Sequence, residues 1–219
     1  KNFMKKIKKK FQKEFLKLAI ESKAIRFGSF VLKSGRMSPY FFNSAMFLAN
    51  GKLNTLAECY VNKIKNENLK FDMLFGPAYK GIFLATAIST KLSQSRTVPV
   101  CFNRKEEKDH GEGGSYIGKK PFGKVLIVDD VLSSGLAIGE SIEFLKNFDV
   151  EIIGAIVGLN RLERGQKTSQ VASDELKNEG FNVYALMTID EIMLDEDLIT
   201  QSQIKEIKAY RDQYSGENV

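Results

Sequence analysis

The segment VLIVDDVLSSGLA, residues 125–137, brings together residue types that could bind a sugar phosphate. The four consecutive apolar residues 125–128 are typical of an interior strand of a parallel sheet, which is covered on both faces. Asp129 and Asp130 follow at the end of that strand, where open α/β sheets place their ligands. We therefore expect both carboxylates to face a crevice and to bind hydroxyl groups or a magnesium ion.

The residues that follow the acidic pair could bind the phosphate group itself. Ser133, Ser134 and Gly135 come just before a helical pattern, so they offer hydroxyl groups, unpaired backbone amides and the positive end of a helix to an anion. In the alternative interpretation, Ser134 only caps the helix and the two aspartates belong to a solvated loop. The apolar strand and the paired carboxylates favour the phosphate site.

A cationic, glycine-rich segment, residues 104–118, could cover such a ligand. It carries Arg104, Lys105, Lys108 and His110, which are followed by Gly111, Gly113 and Gly114. A loop of this length without secondary structure is usually functional or disordered. It could close over a diphosphate, exclude water and open again to release product. The alternative is a disordered surface loop in which glutamates balance the cations.

The elements that must position these residues alternate from about residue 70 onward. Short β-type runs alternate with helical patterns, which predicts an α/β domain with a mostly parallel sheet flanked by helices. The predicted strands cover residues 71–75, 98–103, 125–129, 151–159 and 182–188. The predicted helices cover residues 82–92, 136–148 and 197–214.

The beginning of the chain is a Lys-rich amphipathic pattern. Ile7, Phe11, Phe15 and Leu18 recur at helical spacing, which gives one apolar face and leaves lysines on the others. We predict a helix over residues 1–19 that docks on the core; the alternative is a helix that binds a membrane surface or a partner. Two further units are predicted, an N-terminal lobe with short β segments (20–65) and an α/β core (66–219).

Composition excludes several functional classes. The first 17 residues carry a net charge of +7 and the rest of the chain −1, so the body lacks the basic stripe of a nucleic-acid channel. The longest uninterrupted apolar stretch, residues 152–159, is too short for a membrane span, which needs about 20 residues. One histidine and two distant cysteines do not form the ligand pattern of a zinc site. The chain opens on no secretory leader pattern, and we expect a cytoplasmic protein with reduced thiols.

Four segments together resemble a known enzyme family. The strand, acidic pair, serines and glycine of residues 125–137 are similar to the phosphoribosyl pyrophosphate (PRPP) signature of type I phosphoribosyltransferases. Three further segments resemble the catalytic loop and two binding segments of orotate phosphoribosyltransferases: FNRKEEKDHGEGG (102–114), LKSGRMSPYFFN (32–43) and LFGPAYKGI (74–82). The resemblance implies the type I phosphoribosyltransferase fold, a Rossmann-like, mostly parallel sheet with a small N-terminal lobe and a flexible catalytic loop.

The same resemblance implies a reaction. It is the magnesium-dependent transfer of phosphoribosyl from PRPP to orotate, which gives orotidine 5′-phosphate and pyrophosphate in the synthesis of UMP, a pyrimidine nucleotide. Mg²⁺ would be held mainly by PRPP, with Asp129 or Asp130 as a candidate ligand. The resemblance also implies a homodimer, in which Lys108 and His110 of the loop reach the site of the neighbouring subunit.

Individual residues receive roles from the resemblance. The catalytic residues would be Lys108, His110, Asp129 and Asp130. PRPP would be bound by these four and by Lys33, Tyr79, Lys80, Arg104, Lys105, Val131, Leu132, Ser133, Ser134, Gly135, Leu136 and Ala137. Orotate would be bound by Phe41, Phe42, Ser133 and Arg161, whose guanidinium is a planar fork suited to a planar acid. In the family, the turn at Tyr79 often contains a cis peptide bond that does not involve proline.

Two positions depart from the family pattern. Leu136 stands where the PRPP signature has a threonine, so we expect 5′-phosphate binding to be weaker by at most about 1 to 2 kcal/mol, the contribution of one hydrogen bond. Asn160 stands where an aspartate is expected before Arg161, which would leave Arg161 without that partner.

Two other functions fit the sequence less well. A purine phosphoribosyltransferase would share the PRPP strand, but it would not be expected to carry both PYFFN and RKEEKDHG. A regulator that binds PRPP without catalysis would need a basic face for nucleic acid, which the nearly neutral body lacks.

Overall fold

The computed structural model describes residues 9–32, 35–108 and 114–216, and it resolves eight helices and eight strands within them. The helices are α1 (Lys10–Glu21), α2 (Ala45–Ala49), α3 (Leu53–Asn66), α4 (Lys80–Leu92), α5 (Leu136–Leu145), α6 (Ala172–Asn178), α7 (Ile189–Ile192) and α8 (Gln201–Tyr214). The strands are β1 (Ile25–Val31), β2 (Met37–Phe42), β3 (Met73–Phe75), β4 (Val100–Lys108), β5 (Gly114–Gly118), β6 (Gly123–Leu132), β7 (Val150–Asn160) and β8 (Val183–Thr188).

The central sheet has the strand order β5-β4-β3-β6-β7-β8. All its neighbouring strands are parallel except β4 and β5, which are antiparallel. The chain moves from β3 outward to β4 and then returns to place β6 on the other side of β3. This reversal is a topological switch point, and the crevice at the carboxyl ends of the two strands beside it is where such sheets bind ligands.

Helices cover both faces of the sheet, as the alternating pattern predicts. Val125 and Ile127 pack on the side of α5 and α6, whereas Leu126 and Val128 pack on the side of α3 and α4. All four side chains are fully buried, because a strand in the middle of a parallel sheet has no face exposed to solvent. The strand predicted from the four-residue apolar run is therefore confirmed.

The N-terminal helix docks on this core. Phe15 and Leu16 of α1 are buried and belong to the same apolar cluster as Leu126 and Ile156 of the sheet. In the part that the structure describes, the helix predicted over residues 1–19 is docked on the core and ends at Glu21, whereas residues 1–8 lie outside the described residues. After α1, the β1–β2 hairpin forms a separate two-stranded sheet, which agrees with the predicted short β segments.

The segment predicted as an irregular loop, residues 104–118, is different in the structure. Its first part continues β4 to Lys108 and its last part forms β5, so the described residues are the two arms of a β-hairpin. Sequence analysis missed these arms because a solvated edge strand does not need the apolar alternation that reveals a half-buried strand. Tyr116 anchors β5 by packing edge-to-face against Phe148, with ring centroids 5.8 Å apart.

Candidate active site

Two chain segments meet at the switch point of the sheet. The turn at residues 76–79 follows β3, and beside it β6 continues beyond Ile127, the partner of Phe75, as far as Leu132. The turn therefore lies next to the strand positions that carry Asp129 and Asp130. This is the edge of the sheet at which the sequence predicted the acidic pair.

The turn after β3 fits closely against β6. The peptide bond between Ala78 and Tyr79 is cis, as the family resemblance implied. Helix α4 begins directly afterwards, and a Cβ atom on Gly81 would lie only 2.8 Å from the carbonyl oxygen of Val128. Because a side chain would not fit there, glycine at position 81 allows the start of α4 to approach the acidic pair.

The Asp130 carboxylate is the best-connected group in this region. Its Oδ2 accepts a hydrogen bond from the Ser44 hydroxyl at 2.7 Å and another from the Lys80 ammonium at 2.9 Å. Asp130 is 4% exposed, whereas the Lys80 side chain is 42% exposed. One donor to Asp130 is thus fixed in the interior, while the other reaches it from the solvent side.

Asp129 has a different environment. Its Oδ1 accepts a hydrogen bond from the backbone amide of Asp130 at 2.9 Å, and the Tyr60 hydroxyl donates to the main-chain oxygen of Asp129 at 2.9 Å. Burial, and then the charge of Asp130, raise the pKa of the Asp129 carboxyl to about 7. Near neutral pH the pair therefore carries less than two full negative charges.

The aspartates are more enclosed than the sequence predicted. We expected the strand to end at Asp129 and both carboxylates to face a crevice, but β6 continues to Leu132 and the exposed fractions are 7% for Asp129 and 4% for Asp130. The strand is longer because β7 pairs with it as far as Asn160. The N-terminal lobe adds to the enclosure by placing Ser44 over Asp130.

The turn between β6 and α5 has the geometry of the predicted phosphate site. Gly135 has a φ of +83° and is the N-cap residue of α5, and no side chain caps this helix. The alternative in which Ser134 caps the helix is therefore wrong, since its hydroxyl instead accepts a hydrogen bond from the Gln166 side chain at 3.2 Å. Leu136, which stands where the family signature has threonine, is 52% exposed at the same turn.

Three other residues predicted at this site lie along the same segment. Leu132 has a buried side chain and Val131 a half-buried one that packs against the core, so these two can offer a ligand mainly their main-chain atoms. Ala137 is in the first turn of α5, and its carbonyl oxygen accepts a hydrogen bond from Ser141.

Strand β4 brings cationic residues next to the cis-peptide turn. The Lys105 ammonium lies 4.9 Å from the centroid of the Tyr79 ring, and the backbone amide of Ala78 donates to Asn103 Oδ1 at 2.8 Å. The buried Nε of Arg104 has no hydrogen-bond partner among the described residues. The predicted Arg104, Lys105 and Tyr79 are thus on elements that touch each other, close to Lys80.

A second polar cluster surrounds Arg161 at the end of β7. Its Nε and Nη2 each lie 2.7 Å from Glu163 Oε1, which also accepts a hydrogen bond from the Tyr210 hydroxyl at 3.0 Å. Arg161 Nη2 donates to Ser38 Oγ at 3.3 Å, and the guanidinium carbon lies 4.5 Å from the centroid of the Tyr40 ring. Residues from β2, from the end of β7 and from α8 therefore hold the guanidinium in place.

Arg161 has another partner in place of the aspartate that the family pattern has at position 160. Asn160 does replace the expected aspartate, and its Oδ1 accepts a hydrogen bond from the backbone amide of Leu162. Glu163, two positions after Arg161, supplies the carboxylate instead. With exposed fractions of 6% and 7%, Arg161 and Glu163 form a buried ion pair.

The two phenylalanines predicted at the base site lie on β2, the strand that also carries Ser38. Phe42 is buried against Phe15 and Phe47, with ring centroids 6.3 Å away in both cases. Phe41 is half-buried and packs against Phe30. Phe42 can therefore offer a planar ligand mainly its backbone groups, whereas the Phe41 side chain is partly accessible.

Comparison with known proteins identifies the family. The model of the phosphoribosyl transferase domain family matches residues 45–186. Orotate phosphoribosyltransferases from Thioalkalivibrio sulfidiphilus and Laribacter hongkongensis are 44% and 42% identical to this chain, over 94% and 93% of it and over 99% and 97% of their own lengths. The crystal structure of orotate phosphoribosyltransferase from Francisella tularensis, 35% identical, superposes with a TM-score of 0.80 and covers 93% of this chain and 100% of its own. The chain belongs to the orotate phosphoribosyltransferase family.

This membership confirms the resemblance seen in the sequence. The chain is a phosphoribosyltransferase of pyrimidine biosynthesis, and therefore a pentosyltransferase, with the type I phosphoribosyltransferase fold. Three residues with predicted roles are not placed by the structure. Lys33, His110 and the side chain of Lys108 lie outside the described residues.

Several side chains at the orotate phosphoribosyltransferase site were not predicted. Ser44 and Tyr60 contact the acidic pair from positions 86 and 69 residues away in the chain, a distance that no local pattern bridges. Tyr210 reaches Glu163 from the last helix in the same way. Of these residues, only Glu163 could have been predicted from the sequence, because a carboxylate two residues after an arginine at a strand end is a candidate partner for that arginine.

None of the described helices is long and apolar enough to cross a membrane. Among the described residues, no group of three or more His, Cys, Asp or Glu side chains could hold a metal ion.

A buried carboxylate supports the segment that faces the turn between β6 and α5. A cavity of about 440 Å³ opens there between α5 and residues 166–179, lined partly by Leu136 and Leu176. Glu175 is 8% exposed and accepts backbone hydrogen bonds from Gln166, Lys167 and Thr168 at 3.0, 2.8 and 2.6 Å. Burial alone would raise the pKa of the Glu175 carboxyl, but these hydrogen bonds outweigh it and lower the pKa.

Replacing Glu175 by Gln is expected to lower the free energy of unfolding by about 2 kcal/mol at pH 7, because the amides lose a charged acceptor. Since the folded pKa is lowered, this stabilisation is present above the unfolded pKa and is lost as the pH falls through the folded pKa. Urea unfolding at pH 7 and in acid measures it, and the difference between parent and variant must shrink in acid. Glu179→Gln, which removes an exposed pair with Lys167, is the control and should change stability by less than about 0.5 kcal/mol. A difference independent of pH contradicts the assignment.

Proposed function

We propose that this protein transfers the phosphoribosyl group of PRPP to a ring nitrogen of orotate and releases pyrophosphate. The observation that carries the proposal is the meeting of Lys80 and Asp130 beside the uncapped start of α5, at the switch point of the sheet. A cation, a carboxylate pair and an anion-binding turn are then side by side, which suits the three parts of PRPP. The family membership supports the choice of orotate as the acceptor.

Each part of PRPP has a proposed binding segment. The 5′-phosphate is bound by the turn of residues 133–137, where Leu136 offers its backbone amide in place of a threonine hydroxyl. Asp129 and Asp130 bind the ribose hydroxyls. The diphosphate is bound by Tyr79, Lys80, Arg104 and Lys105, together with Lys33, Lys108 and His110. The Nε of Arg104 supports this assignment, since it is buried without a hydrogen-bond partner among the described residues and such a donor is costly unless a ligand satisfies it.

The reaction moves charge in a way that these residues can stabilise. The bond between C1 of the ribose and the diphosphate oxygen breaks, and a bond from the orotate nitrogen to C1 forms. Negative charge accumulates on the leaving pyrophosphate and positive charge on the sugar. Lysine and arginine side chains that already surround the diphosphate stabilise the first, and the buried carboxylates stabilise the second. His110 assists proton or charge movement at the covered diphosphate, and no protein residue becomes covalently modified.

Mg²⁺ fits this site as an ion carried by the substrate. Magnesium is usually bound through one or two carboxylates plus substrate phosphates. The described residues offer the pair Asp129 and Asp130 and lack a complete metal site, which agrees with that mode. The ion would neutralise the diphosphate, and Asp129 or Asp130 would contribute the protein ligand.

The acceptor base is proposed to lie between β2 and the end of β7. Backbone groups of Phe41 and Phe42 meet the pyrimidine ring, Ser133 borders it, and Arg161 binds the carboxylate of orotate. The contact between Arg161 and Ser38 supports this placement, because it brings β2 and the end of β7 together.

We further propose a homodimer in which Lys108 and His110 act in the neighbouring subunit's site. The cytoplasmic location stays a prediction of the sequence.

A single assay tests the proposed function. The purified protein is incubated with PRPP and Mg²⁺ and with orotate, adenine or hypoxanthine, and consumption of each base is measured. We expect consumption of orotate only, with formation of pyrophosphate, and loss of the activity when the metal is chelated. Consumption of a purine would assign the protein to a different acceptor, and PRPP binding without consumption of any base would indicate a regulator.

A further inference from the structure

Ser44 holds an unusual position for a serine at the start of a helix. It is the N-cap residue of α2, where a serine hydroxyl normally accepts a hydrogen bond from the first turn. The Ser44 side chain makes no such bond to α2, and the backbone amide of Ala45 donates to Asn43 Oδ1 at 3.2 Å instead. The Ser44 hydroxyl is thus free from local structure and donates to Asp130 Oδ2.

The two donors to Asp130 differ in how firmly they are held. Ser44 is 1% exposed, and its short side chain has little freedom to move. Lys80 is partly exposed at the end of a long, flexible side chain, and the proposed function requires its ammonium to bind the diphosphate of PRPP. When Lys80 turns to the diphosphate, Asp130 loses one of its two donors.

We propose that Ser44 is a positioning residue that holds the Asp130 carboxylate in place while PRPP takes Lys80 away from it. A ribose hydroxyl then replaces the ammonium as the second donor to Asp130, so the buried carboxylate keeps two hydrogen bonds before and after binding. This inference rests on the proposed function and adds to it a residue from the base-binding lobe. The sugar site is therefore completed by the segment that directly follows the β2 strand.

The test is a comparison of two ligands, ribose 5-phosphate and orotate, of which only the first has Asp130 among its proposed partners. Ser44→Ala is expected to weaken binding of ribose 5-phosphate by about tenfold, in line with loss of a hydrogen bond to a charged group. Binding of orotate, which is proposed to contact Phe41, Phe42 and Arg161, is expected to stay within twofold of the parent. Isothermal titration calorimetry on the full chain measures both.

Steady-state kinetics give a second readout. In Ser44→Ala, the KM for PRPP is expected to rise about tenfold, while kcat and the KM for orotate stay within threefold of the parent. Ser44→Cys, which fills the same space with a weak donor, is expected to resemble Ser44→Ala. Ser89→Ala is the matched control, because it loses a serine hydrogen bond of 2.5 Å to the Val98 carbonyl oxygen at the far end of α4.

The outcomes separate this inference from the proposed function. If the parent converts orotate but Ser44→Ala binds ribose 5-phosphate as the parent does, the inference is wrong and the function stands. If both ligands weaken equally, or if Ser44→Cys behaves as the parent does, Ser44 only fills space and the inference is again wrong. If the parent consumes no orotate, the proposed function fails first.

Discussion

Replacing Asp130 by Asn is expected to lower kcat/KM for PRPP by about 10² to 10³, the scale of losing one electrostatic contact to the transition state. Asn keeps the size of the side chain and can still accept a hydrogen bond from Ser44. It loses the negative charge that attracts the Lys80 ammonium and that faces the positive sugar of the transition state. Initial rates at varied PRPP with saturating orotate measure the effect.

The fold should survive the Asp130→Asn change. Lys80 is 42% exposed, so it can be solvated when its partner is neutralised, and an ion pair of that kind contributes at most about 1 kcal/mol. Asp149→Asn, a change at an exposed aspartate that follows α5, is the control and should leave the rate unchanged. A rate within threefold of the parent for Asp130→Asn would show that this carboxylate has no catalytic role.

The sequence predicted the central sheet well because the relevant signals are local. An apolar run such as residues 125–128 can be covered only inside a parallel sheet, and the structure buries all four side chains completely. The glycine before α5 and the turn after β3 also carry their information in a few neighbouring residues. Both segments therefore lie at the switch point where they were expected.

The details that were missed depend on chain segments far from each other. Asp129 and Asp130 look like the exposed end of a strand in the sequence, and only the pairing of β6 with β7 and the approach of Ser44 enclose them. The two described arms of the hairpin, residues 104–108 and 114–118, are a run of charged residues and a segment with two glycines, and their order comes from backbone pairing between β4 and β5. Composition is a weak guide where backbone pairing determines the structure.

The surroundings of Arg161 show how a substitution in the sequence can be compensated in space. The sequence predicted that Arg161 lacks an aspartate partner at position 160, and in the structure Glu163 and Tyr210 form the hydrogen-bond network around it instead. Because the pair of Arg161 and Glu163 is almost completely buried, its two members must be considered together. A single variant at Arg161 and a double variant at Arg161 and Glu163 therefore distinguish the contribution of the pair to stability from that of Arg161 to orotate binding.

Replacing Arg161 by Met is expected to lower the free energy of unfolding by about 3 kcal/mol, because the buried Glu163 carboxylate loses its nearest cation and keeps Arg36, whose Nη1 lies 3.9 Å from Glu163 Oε2. The KM for orotate should also rise by about 100-fold, since the proposed partner of its carboxylate is gone. Adding Glu163→Gln should restore more than half of the lost stability, because the buried charge is then removed together with its partner. The double variant should not recover orotate binding.

Urea unfolding and orotate-dependent kinetics on the two variants measure these effects, with Arg164→Met as the exposed control on the same segment. If the double variant recovers stability and also binds orotate as the parent does, Arg161 is a structural residue and the base site lies elsewhere. If Arg161→Met loses orotate binding without losing stability, the ion pair is not the support that its burial indicates. The proposal requires that Arg161→Met lose both stability and orotate binding and that the double variant recover stability alone. That result would show a guanidinium that is positioned by Glu163 and that binds the carboxylate of orotate.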